Sequence, residues 1–375
     1  MRNVSNLYQV YRLSGSSFQL GLTGFFQALP FVLFGLFAGA LADVFDRKKL
    51  ILIAQGLNLV PGISLGILTV TDTVQVWHIY LLSLMTASLQ VFSWPARSAI
   101  IPRLVPQSHL MNAVTLSTMI QQASFVLGPL IAGALIDSIG LDLTYFFDAV
   151  LLVPAMLAVL AVRSSGKPEG ERGRVSVRSI VEGVKFIWIE RIILSLFLLD
   201  FAVTLVGYYR PILPIFASDV FDVGATGLGT LYAAPALGAL IGSASLLLAG
   251  DFKYKGALVM IAAVFFGISL ALLGGSTRFS MAVVAMGALG FTDAISVAIR
   301  RTVVQILAPD AMRGRASSLI TVFSQSTNAL GALLAGTAAA LLGAPNALLL
   351  GSALCVAIVF CIGRVFPQLW RYRSA

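Results

Sequence analysis

Leu127-Gly128-Pro129-Leu130-Ile131-Ala132-Gly133 returns 203 positions later as Leu330-Gly331-Ala332-Leu333-Leu334-Ala335-Gly336. Extended outward, the match lays Arg97 to Gly140 on Arg300 to Gly343 without a gap, with 13 of 44 positions identical, among them Arg97 with Arg300, Pro106 with Pro309 and Gln122 with Gln325. A slightly different offset of 208 pairs Asp43 with Asp251. A self-match of this length marks a duplication, two related halves in one chain.

Both halves are far too apolar for water. The 375 residues are 58% hydrophobic and 11% charged, with a mean hydropathy of +0.93, whereas a soluble domain carries about a quarter of its residues as Asp, Glu, Lys or Arg. Soluble enzymes and nucleic-acid binders are excluded on that ground, and the lipid bilayer becomes the expected surrounding. The net charge of +9 reflects basic residues held in cytoplasmic loops rather than an acidic partner.

A spanning helix needs about 20 uncharged, mostly apolar residues. Arg12 to Asp43, Lys49 to Asp72, Asp72 to Arg97, Arg103 to Asp137, Asp222 to Asp251 and Lys255 to Arg278 each enclose one, and Arg315 to Arg364 encloses two around Gly343. Three more contain an ionisable residue: one opening near Asp148, one holding Asp200 and Arg210, one holding Asp293. Eleven spans are therefore expected, five in an N-terminal bundle over 1–162 and six in a C-terminal bundle over 190–366, with a cytoplasmic tail over 367–375. A polar linker over 163–189 joins them, ending in an amphipathic surface helix from Ser176 to Trp188, with Ser179 and Glu182 at capping-box spacing.

Placing the loop from Asp43 to Lys49 inside puts 21 of the 25 basic residues in cytoplasmic segments, leaving Arg2, Arg12, Arg210 and Arg278 elsewhere. The C-terminus is then cytoplasmic. The second half holds one span more than the first, and Ile192 to Phe216 projects to positions before Met1, so a first helix is expected upstream. Residues 1–17 lack the apolar core of a signal peptide.

Gly39-Ala-Leu-Ala-Asp43-Val-Phe-Asp46-Arg47-Lys48-Lys49 resembles the loop after the second helix of major facilitator superfamily transporters, with Val44 for the family's Arg and Asp46 for its Gly. The segments from Arg300 to Gln305, Pro309 to Arg315, Ser326 to Gly331 and Phe366 to Leu369 are similar to its siderophore-exporter-like branch. Gly128-Pro129-Leu-Ile-Ala132-Gly133 resembles the fifth-helix motif of exporters, with Ala132 for one Gly. The resemblance implies an all-α major facilitator fold of two pseudo-symmetric bundles around a central cavity, in a bacterial inner membrane. It implies secondary, proton-coupled efflux of a small organic molecule, siderophore-like or drug-like, by a monomer without cofactors. A nutrient importer of the same fold and a truncated, non-transporting membrane protein are the alternatives.

Physical readings accompany these motifs. Asp43 at a helix end can accept N–H bonds from a neighbouring helix N-terminus while Arg47 and Lys48 neutralise it in one conformation, a latch to which the repeat adds Asp251 and the resemblance Gly39, Arg313 and Arg315. The small residues Gly128 and Gly133 beside Pro129 let two helices approach closely.

A carboxylate deep in a span costs roughly 2.5 to 3.5 kcal/mol, so Asp200 and Asp293 are the proton-coupling candidates, while Asp137 and Asp148 lie nearer span ends where water reaches. Arg210, before Pro211, is expected to pair with Asp200 across a bend or to meet an anionic group of the substrate. Tyr208, Gln122, Gln325 and Asn328 complete the candidate cavity lining. Cys355 and Cys361, six apart on one helix, neither pair with each other nor clamp a metal. His78 and His109 offer no metal site or triad, and no phosphate-cradling Gly-x-x-x-x-Gly-Lys segment occurs. Gly62-Ile-Ser64-Leu-Gly66 matches a hydrolase nucleophile pattern but lies inside an uncharged span, where packing explains it.

Overall fold

The computed structural model describes residues 1–162, 185–250 and 252–372, with the side chains of 36–44 and 310–318 outside the description. Among the described residues the chain is helical and connected by short turns, without a strand. In lipid every backbone polar group must be paired, and a helix satisfies that within its own segment.

The first half contains α1 (Arg2–Ser14), α2 (Ser17–Val44), α3 (Arg47–Val70), α4 (Val76–Ile100), α5 (Leu110–Ile139), α6 (Leu141–Val150) and α7 (Leu152–Ala161). The second contains α8 (Arg191–Gly207), α9 (Gly224–Ala249), α10 (Lys255–Gly274), α11 (Phe279–Leu307), α12 (Asp310–Leu342), α13 (Ala344–Val365) and the short α14 (Pro367–Arg371). Among the described residues ten helical segments are long and apolar enough to cross a membrane, α6 with α7 making one of them. The 33-residue α12 runs between the same two ends and matches the eleventh expected span.

Each connection lies at one of two ends. The turns after α2, α4 and α11, near Arg47, Arg103 and Arg301, define a basic end; Gly15, Thr71 to Gln75, Gly140, Gly224, Gly275 and Gly343 define the far end. The repeat is visible in the turns themselves: Gly140 and Gly343, equivalent at the offset of 203, carry φ of 90° and 80°, a region only glycine enters freely.

Within the first half α2 and α3 pack on α4, and α3 on α6; within the second α9 and α10 pack on α11, and α10 on α13. Two seams join the halves, α2 on α12 and α5 on α9. Because α5 corresponds to α12 and α2 to α9, each seam is the other's repeat. Both depend on missing side chains. A Cβ added at Gly133 would stand 2.3 Å from the Ala225 carbonyl oxygen and one at Gly229 2.4 Å from that of Pro129. On the other seam, a Cβ at Gly21 would stand 2.6 Å from the Ala332 oxygen and one at Gly336 2.6 Å from the Gly21 Cα. Gly133 with Gly336, and Gly21 with Gly229, are equivalent pairs at offsets 203 and 208.

Hydrogen bonds also cross between the halves at the far end. Asp137 accepts from the backbone N–H groups of Ala225 (3.2 Å) and Thr226 (2.7 Å) at the start of α9, and the Tyr11 hydroxyl donates to Asp219. Along α5 no residue from Leu110 to Phe125 is buried, whereas Val126, Ala132, Gly133 and Ile136 are. The far end is closed, and the gap between the halves lies on its basic side.

Two expectations need amendment. Residues 2–14, outside the eleven expected spans, form α1, whose buried face is largely polar: Arg2, Ser5, Asn6 and Gln9 alongside Val4, Leu7 and Val10. The amphipathic linker helix is described only from 185, where a helical turn buries Ile187 against Ile193 and Val304; Ser179 and Glu182 lie outside the described residues.

Candidate functional site

Below the closed far end, a cavity of about 840 Å³ separates the halves. α9 enters it with Tyr232 and continues to Ser243, α5 from Pro129 to Gln122, and α11 from Gly290 to Arg301. In every case the lining runs from the glycine seams toward the basic end.

The wall from the first half is polar and closely bonded. Arg2, at the start of α1, donates from Nε (2.8 Å) and Nη2 (2.7 Å) to Asp148 of α6. Its Nη1 reaches the Asn58 side chain (2.6 Å) and carbonyl (3.0 Å) on α3 and the Thr86 hydroxyl (3.3 Å) on α4. Asn6 donates to Ser83 (2.8 Å), the Tyr145 hydroxyl bonds Asn6 (3.0 Å) and Gln9 (2.8 Å), and Gln9 donates to Thr69 (2.8 Å). In this network Arg2, Asn6, Gln9 and Ser83 are buried, and each such group left unpaired would cost roughly 1 to 3 kcal/mol. Gly62 makes room for it, since a Cβ there would stand 2.8 Å from Arg2 Nη2, and Gly66 does the same for the Phe146 ring at 2.8 Å. Both glycines of the hydrolase-like pattern are therefore packing positions.

The opposite wall carries the charge. α8 ends at Gly207, and Arg210 opens a run of tight turns, Arg210–Ile212 to Phe216–Val220, that the paired prolines Pro211 and Pro214 impose. Tyr232 donates to the Arg210 carbonyl at 2.6 Å, fixing the turn against α9. Arg210, Asp293 and Arg301 all line the cavity and are exposed within it.

Of the residues singled out from sequence, Arg210, Asp293, Gln122 and Pro129 line this cavity. Tyr208 does not; its side chain packs on Gly331 of α12 and its neighbour Tyr209 takes the lining position. The expected pairing of Arg210 with Asp200 does not form, because Asp200 is ion-paired with Arg300 of α11. Asp200 and Gln325 line a second, smaller cavity of about 160 Å³ within the second half, and Asn328 donates to Gln325 at 3.0 Å. Gly133 and the Pro129 carbonyl form the α5–α9 seam, while Gly128 faces Met1. Asp148, expected near water, is instead mostly buried on Arg2, its side chain 19% exposed.

In the loop after α2, Asp46 accepts from the backbone N–H groups of Lys48 (2.9 Å) and Lys49 (3.3 Å), capping α3 where the family pattern has glycine. Arg47 donates to the Ala99 carbonyl (3.1 Å), and Lys48 to those of Leu160 (2.9 Å) and Val162 (2.6 Å), at the ends of α4 and α7. Of the other latch positions, Asp251 lies outside the described residues, and at Gly39, Asp43, Arg313 and Arg315 only the backbone is described.

Arg301 and the whole Arg2 network were not singled out from sequence. The signal for the last is present: Arg2, Asn6 and Gln9 recur at helical spacing, i, i+4 and i+7.

Two repeat-related helical bundles closed at one end around a charged cavity define a major facilitator superfamily transporter. The chain belongs to the transmembrane secretion effector family, whose model matches residues 1–369. It is 27% identical over 331 residues to the enterobactin exporter EntS of Shigella boydii serotype 18, covering 88% of this chain and 78% of that one. The enterobactin exporter of Escherichia coli O1:K1 matches at the same identity and coverage. Among solved structures, the nucleoside transporter NupG superposes with a TM-score of 0.78 at 11% identity, over 97% of this chain and 94% of that one. A bacterial homologue of the lysosomal transporter Spinster superposes at 0.74 and 16% identity, over 100% and 96%. These likenesses show the fold; the family makes the chain a multi-pass membrane transporter and not an enzyme.

Proposed function

We propose that this transporter exports a small organic molecule across the bacterial cytoplasmic membrane in exchange for protons, by alternating access. Its basic end, and with it the C-terminus, faces the cytoplasm; the structure then corresponds to the inward-facing state. A siderophore-like substrate is supported by the relatives' named activity and by a cavity of about 840 Å³ with polar walls. One chain encloses the whole cavity, so a monomer suffices.

The observation that carries the reading is Asp293, a carboxylate halfway along α11 whose side chain opens into the cavity. Ionised, it accepts strong hydrogen bonds from a ligand's hydroxyl or amide donors; protonated, it loses the charge that makes them strong. Ligand and proton compete for one group, which is the requirement for exchange. Asp200, held by Arg300, is the second candidate. The loop latch of Gly39, Asp43, Arg47 and Lys48, with Asp251, Arg313 and Arg315 as its counterparts, secures the basic end when the far end opens.

Uptake of radiolabelled enterobactin into inverted membrane vesicles tests the proposal. A protonophore should abolish accumulation, and Asp293→Asn should abolish uphill transport while sparing exchange at equal concentrations. Proton-driven accumulation that survives in both Asp293→Asn and Asp200→Asn would overturn the assignment.

A further inference from the structure

The repeat places Arg210 where the first half has Arg2, 208 positions earlier, and both arginines line the central cavity. Their surroundings differ. Arg2 is answered by Asp148, and Arg300 by Asp200. The position equivalent to Asp148 in the second half, 203 further on, is Gly351, which offers no carboxylate. Among the described residues no carboxylate lies within ion-pair distance of Arg210 or Arg301, although Asp293 lines the same cavity wall. The first half presents the neutral amides Gln27, Gln90 and Gln122 across the cavity, Gln90 being the repeat's counterpart of Asp293.

A guanidinium at membrane depth persists when something neutralises it, and its planar fork fits an oxyanion with two parallel bonds. From these observations we infer that the transporter's substrate is an organic anion, whose charged group supplies at Arg210 the carboxylate that Asp148 supplies at Arg2. Arg301, eight residues or about 12 Å along α11 from Asp293 toward the basic end, is the first cation an anion meets on entering and hands it to Arg210. Tyr209 and Tyr232 flank the inner position, so an aromatic body beside the anionic group fits. The inference rests on the central cavity being the substrate site and names the substrate's chemical class.

Fluorine NMR of 4-fluorobenzoate and its uncharged isostere 4-fluorobenzamide, binding to the full chain in lipid nanodiscs, tests it. The carboxylate should bind at least 10-fold more tightly than the amide, with the preference falling as salt is raised. Arg210→Gln should remove most of that preference, Arg210→Lys should keep part of it, and Arg301→Gln should slow carboxylate association. Equal binding of the two probes, a preference untouched by Arg210→Gln, or no binding of either at tens of millimolar would each overturn the inference. Equilibrium binding needs neither a gradient nor turnover, so a failure of proton coupling in vesicles leaves this result standing and is told apart from it.

Discussion

Gly133→Ala adds one methyl group at the tightest crossing between the halves. Its carbon would stand 2.3 Å from the Ala225 carbonyl oxygen, more than an ångström inside ordinary contact, and the neighbour is backbone that no rotamer change moves aside. α5 and α9 must therefore separate at the far end, at the cost of overpacking a close seam, about 1 to 3 kcal/mol. In an outward-open state the same helices are apart and the methyl is free. The closed-to-open equilibrium should shift toward opening by roughly 5- to 150-fold, at 1.4 kcal/mol per factor of ten. Spin labels at the exposed far-end positions Thr73 and Thr277, in a background lacking Cys361, read this directly as growth of a longer inter-label distance. Gly128→Ala is the control on the same helix, since its added carbon would have 3.6 Å to its nearest neighbour. Identical distance distributions in Gly133→Ala and wild type, or an equal shift in Gly128→Ala, would refute the reasoning.

Asp137→Ala removes the carboxylate that caps α9 across the seam; losing a cap of this kind is worth about 0.5 to 2 kcal/mol. The same label pair should show a shift in the same direction, and the double variant with Gly133→Ala should fall short of the sum because both act on one crossing. Arg2→Leu leaves the mostly buried Asp148 without its ion-pair partner, a loss of about 3 to 5 kcal/mol that should appear as a marked drop in thermal stability, while Arg2→Leu with Asp148→Leu should recover most of it. Recovery absent from the double variant would mean that the bonds to Asn58 and Thr86, rather than the ion pair, hold that corner.

The elements legible in sequence were those whose cause is local. Uncharged runs become spans because the bilayer tolerates nothing else, and the glycines of the fifth helix mark a close approach because only a missing Cβ permits one. α1 was missed since its buried face is made of Arg2, Ser5, Asn6 and Gln9, residues that read as solvent-facing unless their partners on α3, α4 and α6 are known. Asp148 was misplaced for the same reason: it is mostly covered, because Arg2 arrives from 146 positions away. Tyr208 and Tyr209 are adjacent and chemically alike, and the break after Gly207, set by tertiary contact with Tyr232 and α9, decides which one faces the cavity.

The repeat explains the framework, and the departures from it explain the site. Equivalent glycines make both seams and equivalent glycine turns close both halves at the far end, so a symmetric pair of surfaces is available for rocking one half against the other. Tyr11 and Asp219 are themselves equivalent at the offset of 208 and meet across that symmetry. A purely symmetric molecule would line both walls of its cavity alike. Here Asp137 corresponds to Ala340, Asp148 to Gly351 and Gln90 to Asp293, so one seam carries an electrostatic cap that the other lacks. One arginine is neutralised by the protein while its twin is left for something else to neutralise. Each difference leaves a charge in one half that the other lacks, which is how a duplicated scaffold acquires a directional cavity: the first half supplies an internally bonded wall, and the second supplies charges that a ligand and a proton can still alter.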